Sequence, residues 1–574
     1  MLVDSAVKKI KIRINGRDIK VSPGQTILAV AKDNNIFLPS LCYHSDFCAK
    51  GNCRVCVVEI VGQSRLATAC STSVREGLVI LTDSPRVAAA RNLNIGLLFA
   101  EHVEKCSTCT LRFNCALLEM AKKYKIKINS FKDRKERRKT FKFANAVEID
   151  GSQCIDCRNC VDACSQMQHI NYLEIVGKGI RQEIVPTKNK QIDCIYCGQC
   201  ALHCPVASAQ EQADWPKVEA ALRDRRKIVV AEFAPSVRVT IGEEFGMPYG
   251  TDATGQTVSA LKRLGFKHVF DVNFGADVTT MVEAQELLER VKNKKELPLI
   301  TSCCPSWVKY VEFYNPELIP NLTSSRAPHI QLGGIIKTYW AKKMRIDPKN
   351  IILVSIMPCT SKKFEVTRSE MKIKGLWPVD YAITTRELAF LLKKNKIDLA
   401  KLPKINSDDI LNDGSGAAVI YGSSGGVMES ALRTASFLAC QDSQSKICRE
   451  RLDFKEVRGL ASLKEAVVDI AGKKLRVAVV NGIGEIKEVL KHLQKYDYIE
   501  VMACVGGCIG GGGQPIPTTK AIRQKRVAGL YGIDKNKKIR KAHENQAALE
   551  VLRWLKENKL EHPVLHTTYK KRTR

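Results

Sequence analysis

Cysteine spacing constrains this chain more than any other feature. Twenty-three cysteines occur among 574 residues, and most sit in C-x-x-C runs. Two thiolates one turn apart converge on one metal centre, whereas a disulfide framework needs an oxidising compartment that nothing here indicates. The start, MLVDSAVKKIKIRING, carries no apolar leader and no paired arginines, so export is not expected and a cytoplasmic location is. No run of about 18 apolar residues occurs, and no membrane span is expected. The length suggests about three to five domains.

Four cysteine sets follow one another. Ile10, Ile12 and Ile14 alternate up to Asn15-Gly16, and Ile19 and Val21 resume, which is a hairpin signature; a helix is expected around Gln25–Asp33. Cys42, Cys53, Cys56 and Cys70 come next, in an order that suits a 2Fe–2S cluster held in a loop. Cys48 does not fit the set and reads as a free buried thiol. His102 precedes Cys106, Cys109 and Cys115 by about one helical turn, which places its imidazole near their metal. Then Cys154, Cys157, Cys160 and Cys164 are echoed by Cys194, Cys197, Cys200 and Cys204, the last followed by Pro205. This is the two-cluster bacterial ferredoxin pattern, in which each fourth cysteine crosses to the other 4Fe–4S cluster. Zinc ribbons also use C-x-x-C pairs, but two tandem four-cysteine runs ending in Pro disfavour zinc.

Beyond about residue 225 the pattern changes. The runs Ile228–Phe233, Val269–Val272, Leu297–Ile300, Ile351–Ile356, Val419–Tyr421, Val477–Val480 and Ile499–Met502 alternate with amphipathic stretches and read as buried parallel strands. Most remaining cysteines fall in loops after them, where ligands gather in such folds. Three segments stand out: Thr301–Trp307 (TSCCPSW), Met357–Glu365 (MPCTSKKFE) and Glu500–Cys508 (EVMACVGGC), running on to Gly511-Gly512-Gly513-Gln514-Pro515.

In those three segments, and in the order of the cysteine sets, the chain resembles the iron-only (FeFe) hydrogenases over nearly its whole length. The first two cysteine sets also resemble modules of respiratory complex I. The resemblance implies a multidomain α+β and α/β architecture. Its parts would be a β-grasp 2Fe–2S ferredoxin domain (1–84), a 4Fe–4S domain with one His and three Cys ligands (85–139) and a two-4Fe–4S ferredoxin domain (140–224). An α/β catalytic domain (225–515) and a small-subunit-like C-terminal segment (516–574) would follow. It implies that Cys304, Cys359, Cys504 and Cys508 hold the 4Fe–4S part of the hydrogen-activating H-cluster. Cys508 would bridge to a di-iron subsite carrying carbonyl, cyanide and azadithiolate ligands.

The resemblance also assigns a proton path. Cys303 would be the acid/base, a thiol whose pKa lies within tuning range of neutral pH, although an inert buried cysteine is the plain alternative. Glu283, Glu286, Arg290 and Thr323 would continue the path; alone, VEAQELLER is an ordinary amphipathic helix whose Glu283 and Glu286 share a face. Lys362, and Ser236 within Ala234-Pro235-Ser236, would donate to cyanide ligands, with Met357 and Met502 as polarizable wall. Ser306, His329, Tyr421 and Ala327 depart from the commonest pattern. Cys440 and Cys448 match no motif and read as packing residues.

The formal charge of +31 overstates the real balance, because thiolate-bound clusters carry negative charge. The remainder favours an acidic electron carrier, ferredoxin or flavodoxin, over nucleic acid, for which no recognised module occurs. The basic stretches Lys132–Lys139 and Lys570–Arg574 read equally well as solvated faces. No dinucleotide fingerprint is found, so NAD(P) chemistry would come from a flavin-containing partner subunit. A hydrogen sensor and a cluster-assembly scaffold are the readings from other classes, and dedicated maturation proteins are implied for the di-iron unit.

Overall fold

The structure, a computed structural model, describes residues 9–574 apart from 101, 103–105, 128–130, 132–137, 409–410, 412–413 and 443–450. Most of the basic stretch Lys132–Lys139, and Cys448, therefore lie outside the described residues.

The isoleucine alternation forms strand Ile10–Ile14, paired antiparallel with Arg17–Val21 through Asn15 and Gly16 at φ 49° and 82°. Positive φ at both turn residues matches the strand twist of a tight hairpin. Val79–Leu81 runs parallel to the first strand, Val57–Ile60 and Ala67–Thr68 complete five strands, and helix Ile27–Asp33 covers them. Thr26 caps that helix by accepting from the Ala29 N–H. The next helix, Pro85–Ala100, is pinned to this sheet by buried Arg91, which donates to the carbonyls of Val55, Val57 and Thr82.

The tandem cysteine runs fold as a repeat. Each places a short helix, Asn159–Asp162 or Gln199–Leu202, directly after a left-handed residue, Arg158 (φ 64°) or Gly198 (φ 69°). A three-stranded antiparallel sheet and the hairpin Leu173–Val176/Glu183–Pro186 frame them.

The part beyond residue 225 holds two four-stranded sheets. One is all parallel, in the order His268–Asp271, Ile228–Phe233, Ile351–Met357, Tyr381–Thr384. The other joins Leu299–Ile300, Tyr498–Met502 and Lys473–Asn481 in parallel and adds Leu463–Ile470 as an antiparallel edge. The expected strand at Val419–Tyr421 is instead helical, Gly416–Val419 followed by a 3-10 turn. Ser415 caps it by accepting from the Ala418 N–H, and the run is apolar because it is buried on every side, a helix interior being as greasy as a central strand.

The C-terminal helices Lys520–Asn536, Gln546–Glu557 and Glu561–Leu565 wrap the catalytic half. The tail is only in part a solvated face: Lys570, Lys571 and Arg574 are exposed, but Arg572 pairs with Glu312 and Glu370, and Arg574 donates to the carbonyls of Thr187 and Asn189. Arg138 is likewise buried and paired with Asp156. No described helix is long and apolar enough to cross a membrane.

Candidate active site and its wiring

The parallel strands end where the cysteines begin. Ile228–Phe233 leads to Ala234-Pro235-Ser236, Leu299–Ile300 to Cys303 and Cys304, Ile351–Met357 to Cys359, and Tyr498–Met502 to Cys504 and Cys508. These loops enclose one cavity of about 80 Å³ whose wall includes all five of those cysteines, Ala234, Pro235, Ser236, Met357, Met502 and Lys362. One water needs only roughly 10–15 Å³ on the same measure, so the space suits a larger group.

The donor set fits a metal cluster with an attached group. Burial pushes the Cys359 thiol up to about 12, and it raises Cys304, Cys504 and Cys508 as well. Four such sulfurs cannot ionise together in a dry pocket unless a cationic centre binds them. Lys362 supplies a fixed positive charge at the wall. Its Nζ donates to Glu365 Oε2 at 2.7 Å and to the Cys303 carbonyl at 3.0 Å; burial opposes its charge, but Glu365 together with the nearby Cys359 and Cys303 makes the net shift upward. Glu365 is itself held down to about 2, because Lys362 and His329 overcome the cost of its burial. His329 Nε2 lies 2.6 Å from Glu365 Oε2, and burial keeps the ring neutral by lowering it to about 4.

Desolvation, then the neighbouring Glu283, push Cys303 well above its ordinary value, so it is held as a thiol and can donate a proton without resting as thiolate. Glu283 is fully buried on helix Val272–Asn293, and burial pushes its carboxyl up to about 8. Tyr498 donates to Glu283 Oε1 at 2.5 Å, while Oε2 has no hydrogen-bond partner among the described residues. One turn on, Glu286 accepts from Arg290 Nη2 (2.5 Å), Thr323 Oγ1 (2.7 Å) and Ser324 Oγ (3.2 Å). The helix reading of VEAQELLER and the shared face of its two carboxylates therefore hold.

The other cysteine sets also gather. One cavity is lined by Cys154, Cys157, Cys160 and Cys204, a second by Cys164, Cys194, Cys197 and Cys200, so each fourth cysteine lies with the opposite run. His102, Cys106 and Cys109 line a third cavity, Cys115 is electrostatically coupled to Cys109, and His102 Nδ1 lies 2.9 Å from the Gln153 carbonyl. Cys42, Cys53, Cys56 and Cys70 are all buried, with Cys42 facing Cys53 and Cys56 facing Cys70. Cys48 is exposed, not buried as expected, and Cys440 is disulfide-bonded rather than a packing thiol.

The cysteine loops touch one another. The Cys197 carbonyl lies 3.9 Å from Cys504 Sγ, Gln199 Nε2 donates to the Gly510 carbonyl, and Thr360 Oγ1 donates to that of Tyr196. A Cβ on Gly198 would stand 2.3 Å from Thr360 Oγ1, and one on Gly512 would stand 2.4 Å from the Cys197 carbonyl, so both glycines permit this close approach. Farther out, Asp46 joins Arg523 (3.0 Å) and faces His203 Nε2 (3.8 Å), and Lys50 pairs with Asp162, binding the N-terminal domain to the two-cluster repeat.

Glu365, Tyr498 and Ser324 were missed by sequence reasoning. Glu365 stood three residues from Lys362 on a short helix and could have been found by that spacing. Tyr498 and Ser324 come from elements distant in sequence and carry no local signal.

Residues 227–512 match the family described as "Iron only hydrogenase large subunit, C-terminal domain". Residues 7–85 match a 2Fe-2S iron-sulfur cluster binding domain, 153–208 a 4Fe-4S dicluster domain, and 520–572 "Iron hydrogenase small subunit". Iron hydrogenase 1 of Clostridium pasteurianum is 39% identical, over 98% of this chain and 100% of its own length. The NADP-reducing hydrogenase subunit HndD of Solidesulfovibrio fructosivorans is 38% identical, over 98% and 99%. Among solved structures, an apo [FeFe]-hydrogenase HydA1 from Chlamydomonas reinhardtii matches at 39% identity and TM-score 0.55, over 62% of this chain and 98% of that one.

Proposed function

The chain belongs to the iron-only hydrogenases, and from that premise we propose how its residues divide the work. It is an iron–sulfur oxidoreductase that interconverts protons and electrons with molecular hydrogen. The observation that carries the site assignment is the single cavity shared by Cys303, Cys304, Cys359, Cys504, Cys508 and Lys362.

Cys304, Cys359, Cys504 and Cys508 would hold the H-cluster, their sulfurs lining the one cavity. When bound, that group, with its carbonyl, cyanide and azadithiolate ligands, would supply the iron chemistry by which hydrogen is made or split. Lys362 and Ser236 fix it by hydrogen bonding, and Ala234, Pro235, Met357 and Met502 exclude water around it. Cys303 hands a proton into the cavity and is refilled from Glu283, which at neutral pH still carries one because burial raises it to about 8. Glu286, oriented by Arg290 and Thr323, supplies Glu283 in turn.

The cysteine sets and His102 would hold one 2Fe–2S and three accessory 4Fe–4S clusters, within the domain divisions given above, and these would supply a path for electrons to the cavity. The approach of the Cys194–Cys200 loop to Cys504 supports the last step. The donor is an acidic ferredoxin or flavodoxin, steered by the basic surface. Similarity to HndD over the whole length supports a second reading, a NAD(P)-linked assembly with partner subunits. Infrared spectroscopy of the matured protein tests the site: carbonyl and cyanide bands should appear, and vanish in Cys508→Ala. Bands that survive that change would remove Cys508 from the assignment.

A further inference from the structure

The C-terminal segment brings a histidine to the outer end of the acid chain. His566 Nδ1 lies 2.9 Å from Ser324 Oγ, which lies 3.2 Å from Glu286 Oε2. The contact is built in by the backbone: the Thr567 N–H donates to the Ser324 carbonyl at 2.8 Å, Arg326 Nε donates to the His566 carbonyl at 2.7 Å, and Ser325 bridges to His566. The His566 ring is half-buried and stacks at 5.4 Å on the exposed His562. Its inner edge therefore meets the part-buried Glu286 carboxylate through one hydroxyl, and its outer side meets a ring open to water.

The charges around His566 suit transient rather than permanent protonation. Burial lowers its proton affinity; Glu286 and Glu561 raise it, His562 and Arg326 lower it, and the net shift is downward. A ring that rests neutral can take a proton and release it, whereas a fixed imidazolium cannot.

We propose that His566, with His562 outside it, is the proton-entry residue of this enzyme, exchanging protons between solvent and Glu286 through the Ser324 hydroxyl. A solvent proton adds to Nε2 of His566. The Nδ1–H bond then breaks as its proton passes to Ser324 Oγ, whose own proton passes to Glu286 Oε2. The ring is left as its neutral Nε2–H tautomer; the Ser324 hydroxyl turns back toward Glu286, and proton exchange with water at the two ring nitrogens restores the Nδ1–H form. No electron moves, and hydrogen oxidation runs the same steps backwards. Thr323 keeps Oε2 oriented throughout, since it donates to the same oxygen.

This inference rests on the proton path proposed above, so the test uses full-length, anaerobically matured enzyme whose infrared bands match the wild type; loss of those bands would indict the cofactor assignment instead. His566→Gln can still hydrogen-bond to Ser324 but cannot carry a proton. Its turnover should fall about tenfold, at or below the low end of general acid–base effects, depend on buffer concentration, and recover with added imidazole. Wild-type turnover in H566Q, or a deficit that imidazole leaves untouched, would overturn the proposal. A second measurement needs no activity: imidazole NMR titration before di-iron insertion should show His566 titrating lower in Glu286→Gln than in the parent, because Glu286 raises it. Identical titration in the two proteins would also overturn it.

Discussion

The tandem cysteine repeat and the proposed catalytic cavity gather the same kind of side chain and are assembled in opposite ways. In the repeat, one short loop supplies three cysteines and the partner run supplies the fourth, so each cavity needs only two segments. In the catalytic half, Cys304, Cys359 and the Cys504/Cys508 pair come from three strand ends of two sheets, and the space between them stays larger than the sulfurs need. A closed cage of thiolates stores and passes electrons. A roomier cage, with a cation at Lys362 and the buried Glu283 behind Cys303, can also accept protons. The difference teaches that the second cavity has room for a group beyond a thiolate cage, and that on the proposed reading only this assembly requires a proton supply.

The largest expected effect tests that requirement. Cys303→Ala should leave iron content intact and lower turnover by roughly 10²–10⁴-fold, the span of a lost general acid. Normal turnover would reduce the catalytic half to another electron-storage cage. Glu283→Gln should cost somewhat less, on the order of 10²-fold. In the wild type, Glu283 is protonated below about 8 and ionises above it, so hydrogen evolution should decline as pH rises through that value. A profile flat to pH well above 8 in steady-state assays would remove Glu283 from the supply line.

Smaller effects sharpen the electron side. Gly198→Ala puts a Cβ 2.3 Å from Thr360 Oγ1 at a left-handed backbone position, and should destabilise the domain contact by about 1–3 kcal/mol. Thermal unfolding with clusters loaded measures it; an unchanged midpoint would mean that the two loops need not touch. Smallest, electron transfer from an acidic ferredoxin should slow a few-fold between low and physiological ionic strength, as screening shortens the reach of the basic surface. Salt-independent stopped-flow kinetics would place the carrier elsewhere.

Much of this was legible in the cysteine spacing. Local periodicity also found the hairpin at Asn15-Gly16 and most of the parallel strands, because side-chain alternation and turn residues act over a few positions. It failed at Val419–Tyr421, where burial on all sides erases the difference between helix and strand. It failed again at the tail, where Arg572 and Arg574 read as solvated charge but find Glu312, Glu370 and carbonyls some two hundred residues and more away.

Sequence by itself determined which atoms can bind metal, since thiols and imidazoles at fixed short spacings carry that information in the chain. It could not set the proton affinities of Cys303, Glu283 or His566. Those depend on which neighbours arrive from Tyr498, Ser324 and the C-terminal segment, and on how much water they displace. Only the tertiary structure decided them, because desolvation is a property of the packed surroundings and not of the residue.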